Sequence, residues 1–174
     1  MDRKTTTLRI IAFTLLSIGL SGNAMAAGQF ELLASDAEVY GTRAIERGEY
    51  AEAADKLGLA LELAGDAHMM RAPVLNNLCV AYTMQQKLDQ AAAYCDEYVA
   101  NGRELSIAYN NRGVVSAASG DFASAVANFE ASLDENPADA VARKNLRLAQ
   151  QRLASVGGNS EKLAGTSDDS QPKG

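Results

Sequence analysis

Tryptophan is absent from this 174-residue sequence, proline occurs three times, cysteine twice and histidine once. Each scarcity excludes something. So few prolines leave long stretches in which a helix meets no missing donor and no ring clash. The single histidine, His68, has no nucleophile and acid beside it from which to build a triad. His68 with Cys79 and Cys95 falls one ligand short of a closed zinc site, and their spacing matches no zinc arrangement. Gly-rich phosphate loops, metalloprotease motifs and nucleophile elbows are all missing. The sequence therefore offers no catalytic residue, no metal site and no cofactor, and it reads as that of a non-enzyme. Sustained alternation of apolar and β-branched residues is also lacking, so no sheet is expected. The longest apolar run, Ile10 to Leu20, falls short of the roughly 20 residues that cross a bilayer.

That run belongs to a different pattern. Arg3, Lys4 and Arg9 precede or open it, and Ala24-Met25-Ala26 follows with the small-x-small spacing that signal peptidase reads. Residues 1–26 are thus expected to be a signal peptide, with the mature chain starting at Ala27. The destination is the periplasm, with secretion as second choice. Export removes Asp2, Arg3, Lys4 and Arg9, a net +2, so a formal charge of −6 becomes −8. A chain this acidic repels phosphates and anionic headgroups, which argues against nucleic acid and, after cleavage, against membrane.

The remainder is organised by repetition. Ala37-Glu38-Val39-Tyr40-Gly41 leads to Gly48-Glu49-Tyr50. Leu75-Asn76-Asn77-Leu78-Cys79 leads to Gln86-Lys87-Leu88, and Tyr109-Asn110-Asn111-Arg112-Gly113 leads to Gly120-Asp121-Phe122. The turn positions Gly48, Gln86 and Gly120 are 38 and 34 residues apart, so four residues are inserted between the first two units, within Gly65–Arg71. In the first unit, Ala37, Tyr40, Gly41 and Ala44 fall on one helical face, as do Ala53, Leu57, Ala60 and Leu61 in the partner helix. Small residues recur at Gly41, Cys79 and Gly113 and at Ala53, Ala91 and Ala125, where facing helices approach closely. A hairpin this short cannot bury its apolar face alone, so the units must stack.

With a 34-residue period and the residues Gly113, Gly120, Phe122, Ala125, Phe129 and Pro137, the chain resembles the tetratricopeptide repeat (TPR) family. Departures are Arg112, Tyr98 and Ser132 at positions where that family has Leu, Ala and Ala. The resemblance implies an all-α, right-handed superhelical array of about three TPR hairpins and a C-terminal capping helix. Residues 27–34 form a lead-in to a repeat domain spanning 35–156. Its repeats cover about 35–67, 72–105 and 106–138, the capping helix covers 139–155, and a disordered tail follows at 157–174. The resemblance also implies a ligand groove on the concave face, lined by Glu38, Thr42, Asn76, Val80, Met84, Asn110, Val114 and Lys144. Asn76 and Asn110 are candidates to bond the backbone of an extended peptide, because a carboxamide both donates and accepts. Asn77, Asn111 and Asn145 recur at the repeat period, and their expected role is to join neighbouring units. The implied function is a protein–protein interaction module, an adaptor or assembly factor of the bacterial envelope that binds another envelope protein or peptide. The alternative is a structural protein whose repeats self-associate as a homodimer or larger homo-oligomer.

Cys79 and Cys95 lie eight residues either side of Lys87, at the turn of the middle hairpin. Antiparallel helices bring such positions level, and the matching pairs elsewhere are Gly41 with Leu57 and Gly113 with Phe129, small against large. Facing residues on close helices meet the Cα separation of a disulfide, roughly 4.4–6.8 Å, and an oxidising compartment preserves one. The alternative is a pair of buried thiols acting as small hydrophobes. One experiment checks both the export and the bridge: intact mass of the unreduced exported protein after thiol alkylation. The expected mass is that of a chain beginning at Ala27 with no alkyl adduct; an intact Met1 terminus, or two adducts, refutes the respective expectation.

Overall fold

The computed structural model describes residues 8–11, 30–35, 41–65, 68–101 and 104–165, with the side chains of 8–11, 68–70 and 158–165 left aside. Among the described residues, two short strands, β1 (Leu8–Ile11) and β2 (Glu31–Ala34), precede seven helices. These are α1 (Thr42–Glu46), α2 (Tyr50–Ala64), α3 (His68–Met84), α4 (Leu88–Asn101), α5 (Leu105–Ala118), α6 (Phe122–Glu135) and α7 (Ala140–Gly165). Each helix packs on the next, while α1, α3, α5 and α7 also touch in succession and form one layer. This is an all-α TPR helical array of three hairpins and a closing helix.

The turns and close approaches explain the register. Gly48 and Gly120 adopt φ values of 74° and 83°, the left-handed conformation that ends the first helix of a hairpin. Gln86 holds the same place in the middle hairpin at φ 60°, the one described non-glycine residue with positive φ. At Gly113 a Cβ atom would lie 2.6 Å from Phe129 Cε1, so the ring of α6 occupies the space a side chain on α5 would need. The equivalent pair in the middle hairpin is Cys79 and Cys95, with Cα atoms 5.2 Å apart and sulfurs within bonding distance.

Residues that depart from the TPR pattern have found local partners. Arg112 donates from Nε to Asn128 Oδ1 at 2.6 Å and lies over the Tyr109 ring at 5.3 Å. Ser132 donates to the Ser106 carbonyl at 2.8 Å, and Tyr98 fills a cluster with Leu75 and Ala108, where burial pushes its hydroxyl pKa up.

Two expectations are corrected. The lead-in at 27–34 contains β2, and a two-stranded antiparallel sheet exists, pairing Leu8 with Ala34 and Ile10 with Leu32. A four-residue strand is too short to show alternation in sequence, and the contacts that hold it come from far along the chain. The four-residue insertion falls within Gly65–Arg71 as placed, and three of its residues extend the start of the middle hairpin's first helix: α3 opens at His68 and has 17 residues against 14 in α5. The capping helix does not stop at 155. It runs through Gly157 and Gly158 to Gly165, because two glycines weaken a helix by about 1 kcal/mol each without forbidding it. Most of the expected signal segment, residues 36–40 and 166–174 lie outside the described residues.

Two substitutions test this packing by thermal or urea unfolding. Gly113→Ala should destabilise by about 1–3 kcal/mol through overpacking against Phe129. Gln86→Gly should instead stabilise by up to about 1 kcal/mol, since a glycine relieves the left-handed backbone; loss of stability there would mean the Gln86 side chain matters more than its φ.

Candidate functional site

The layer formed by α1, α3, α5 and α7 is not empty. Residues 30–35 cross it in extended conformation, from α7 towards α1, and are held by a ladder of asparagine carboxamides. Asn145 Oδ1 accepts from the Glu31 N–H at 3.0 Å, and its Nδ2 donates to the Glu31 carbonyl at 2.9 Å. Asn111 does the same for Leu33, at 2.9 and 2.8 Å, and Asn77 for Ser35, at 2.8 and 3.2 Å. A second column adds a further donor to the carbonyls: Asn110 to Glu31 and Asn76 to Leu33, both at 3.0 Å.

A carboxamide carries one acceptor and two donor hydrogens on one planar group, so it can copy the edge of a β-strand. The helices supply the copies at the right interval. Asn77, Asn111 and Asn145 recur every 34 residues, and each advance of one repeat meets the backbone two residues along the strand. The amides also bond one another. Asn111 Nδ2 donates to Asn76 Oδ1 at 2.8 Å, Asn145 Nδ2 to Asn110 Oδ1 at 2.9 Å, and Asn77 Nδ2 to Thr42 Oγ1 at 3.3 Å. Asn76, Asn77, Asn110, Asn111 and Asn145 are fully buried, and no described buried side-chain polar atom lacks a partner. That accounting matters, because an unpaired buried amide costs about 1–3 kcal/mol.

Side chains complete the grip. Phe30 stacks on Phe129 with centroids 5.8 Å apart, and Leu32 and Ala34 join the principal core cluster. Lys144 stands one repeat beyond Asn110, where the column changes from amide to cation, and it pairs with the Glu31 carboxylate.

The expected groove residues are therefore distributed as follows. Asn76 and Asn110 bond extended backbone, and the backbone is the chain's own. Thr42 receives a hydrogen bond from Asn77, and Lys144 faces Glu31. Val80 and Val114 are buried in the core, with Met84 packed against it. Glu38 lies outside the described residues. Asn77, Asn111 and Asn145 join neighbouring repeats as expected, but they also make the paired bonds to the strand. That second role was missed, although three asparagines at one period were visible; what the sequence did not show was which segment they would meet. Among the described residues, no group of three His, Cys, Asp or Glu side chains is placed to hold a metal, and no helix is long and apolar enough to cross a membrane.

Neither a protein-family model nor a curated protein matches the sequence. Solved structures do. The first TPR domain of human RPAP3 is 28% identical with a TM-score of 0.60, over 66% of this chain and 87% of that one. The first TPR of Spaghetti (RPAP3), bound to the HSP90 peptide SRMEEVD, is 27% identical with a TM-score of 0.59, over 66% of this chain and 87% of that one. The Sgt2 TPR domain from Aspergillus fumigatus shares the fold at 18% identity and a TM-score of 0.57, over 77% of this chain and 83% of that one. The class of the molecule is thus a TPR array.

Asn111→Ala should expose the ladder's contribution. It strands the buried Leu33 N–H, a loss of about 1–3 kcal/mol for that group alone. Hydrogen exchange at the Leu33 amide should accelerate in parallel. Asn101, which is exposed and among the described residues bonds within its own helix turn, to the Glu97 carbonyl, serves as the control, and Asn101→Ala should stay within about 0.5 kcal/mol of the parent. Equal effects of the two substitutions would contradict the ladder.

Proposed function

We propose that this chain is a protein–protein interaction module of the bacterial envelope, an adaptor or assembly factor that works with extended polypeptide. One observation carries the reading: the array is built around extended backbone, since the asparagine columns hold its own residues 31, 33 and 35 by their N–H and C=O groups and leave that strand as the surface beside which further polypeptide docks. The peptide bound to the similar Spaghetti TPR supports a peptide or protein partner. The envelope assignment rests on the signal-like N-terminus, and the buried Cys79–Cys95 pair, with Cα atoms 5.2 Å apart, has the separation of a disulfide that an oxidising compartment would preserve.

Because residues 30–35 contribute eight backbone bonds and a buried Phe30, the partner meets the module with this segment in place. At about 0.5–1.5 kcal/mol net per hydrogen bond, and with about 1.5–3 kcal/mol for each buried large apolar side chain, its displacement would consume most of what a short peptide gains.

Self-association is the second reading. Leu59 and Leu63 on α2, and Leu153 and Val156 on α7, are exposed near opposite ends of the array, 49%, 79%, 41% and 53% accessible respectively. Head-to-tail stacking would cover them. Photo-crosslinking in living cells separates the two. A crosslinker at position 144, beside the strand, should yield an adduct with a different protein, whereas one at Glu130 on α6 should not. An adduct of twice the chain's own mass from position 63 or 156, with nothing from 144, would favour self-association and overturn the adaptor.

A further inference from the structure

A strand has two edges, and the asparagines use only one. The N–H and C=O groups of Glu31, Leu33 and Ser35 face the ladder, so those of Leu32 and Ala34 face the opposite way. In the structure β1 takes that outer edge, with Ile10 opposite Leu32 and Leu8 opposite Ala34. Yet β1 lies wholly within residues 1–26, the segment expected to be removed on export.

We propose that in the exported chain the outer edge of β2 is the docking site for an extended segment of a partner protein, which pairs antiparallel to β2 in the place of β1. The proposal rests on the interaction-module reading above and gives it a surface and a ligand class. The edge is unguarded: β2 has no proline, no lysine and no bulge, and its one charged residue, Glu31, is tied to Lys144. It is also preorganised without β1, because the asparagine ladder holds its inner edge and Phe30 stacks on Phe129 of α6. The seated segment, Leu8-Arg9-Ile10-Ile11, displays the chemistry that fits: four residues, extended, proline-free, apolar with a cationic member. A cation suits a mature chain of formal charge −8.

The test uses the exported form starting at Ala27, which retains every residue of the described core clusters, since these begin at Phe30. Circular dichroism confirms its helicity. The probe is a fluorescent peptide of residues 6–13, Thr-Thr-Leu-Arg-Ile-Ile-Ala-Phe, read by anisotropy. It should bind the Ala27 form at least tenfold more tightly than the full 174-residue chain, whose own β1 competes. Backbone N-methylation at Ile10, whose N–H faces Leu32, should weaken binding at least tenfold; N-methylation at Arg9, whose N–H faces away, should leave it nearly unchanged. Hydrogen exchange gives a second readout. The Leu32 and Ala34 amides should exchange faster in the Ala27 form than in the full chain and slow again with peptide, while Leu33 stays protected throughout. A folded Ala27 form that ignores the peptide, or equal effects of the two methylations, would overturn the proposal while leaving the crosslinking result at position 144 to judge the module itself. A stable dimer that excludes the peptide would assign the edge to a second copy and overturn the partner strand.

Discussion

The fit between a carboxamide and a peptide group governs this molecule. A buried strand segment has donors and acceptors that must be paired, and a helix has none to spare from its own backbone. Side chains have to supply them, and asparagine alone offers acceptor and donors on a short, stiff arm at the spacing of a peptide edge. Once Asn77, Asn111 and Asn145 are committed to this, much else follows. Their columns must align, so the helices that bear them must stack at constant register. That in turn requires small residues at Gly41 and Gly113 against Leu57 and Phe129, and a bonded or tightly packed cysteine pair between them. The strand repays the arrangement by covering the layer that a bare array would expose.

Much of the fold was legible in the sequence because helical hairpins are local. Turn glycines, small facing residues and the 34-residue interval all lie within one unit, and the facing pairs inferred from the turns are those the structure brings together. The strand was not legible. Its burial and pairing come from residues up to 114 positions away, such as Asn145 on Glu31, and no short-range signal encodes that separation. The extent of α7 was misjudged for a related reason: Gly157 and Gly158 are weak breakers, and the helix formers beyond them carry the helix on.

The candidate site divides along the same line. Amide residues in the right columns were recognisable as backbone readers, since the chemistry of asparagine is the same wherever it sits. The occupant was not, because nothing in Phe30-Glu31-Leu32-Leu33-Ala34 announces a strand rather than a loop. The middle hairpin shows the converse. Gln86 is a poor turn residue and Pro73 stands within α3, yet the hairpin keeps the geometry of its neighbours, with Cys79 set against Cys95 where they set glycine against leucine or phenylalanine.

The ladder's interval has a consequence for how such arrays grow. One helical unit, some thirty-four residues of chain, advances the bound strand by two. The array is therefore a reducing gear between two periodicities, and it measures extended polypeptide in dipeptide steps. Duplicating a repeat would lengthen the gripped segment by one dipeptide without shifting the parity of any side chain already seated. Deleting one would shorten it by the same step. A helical scaffold can in this way change the length of strand it holds while never changing which face of that strand it hides.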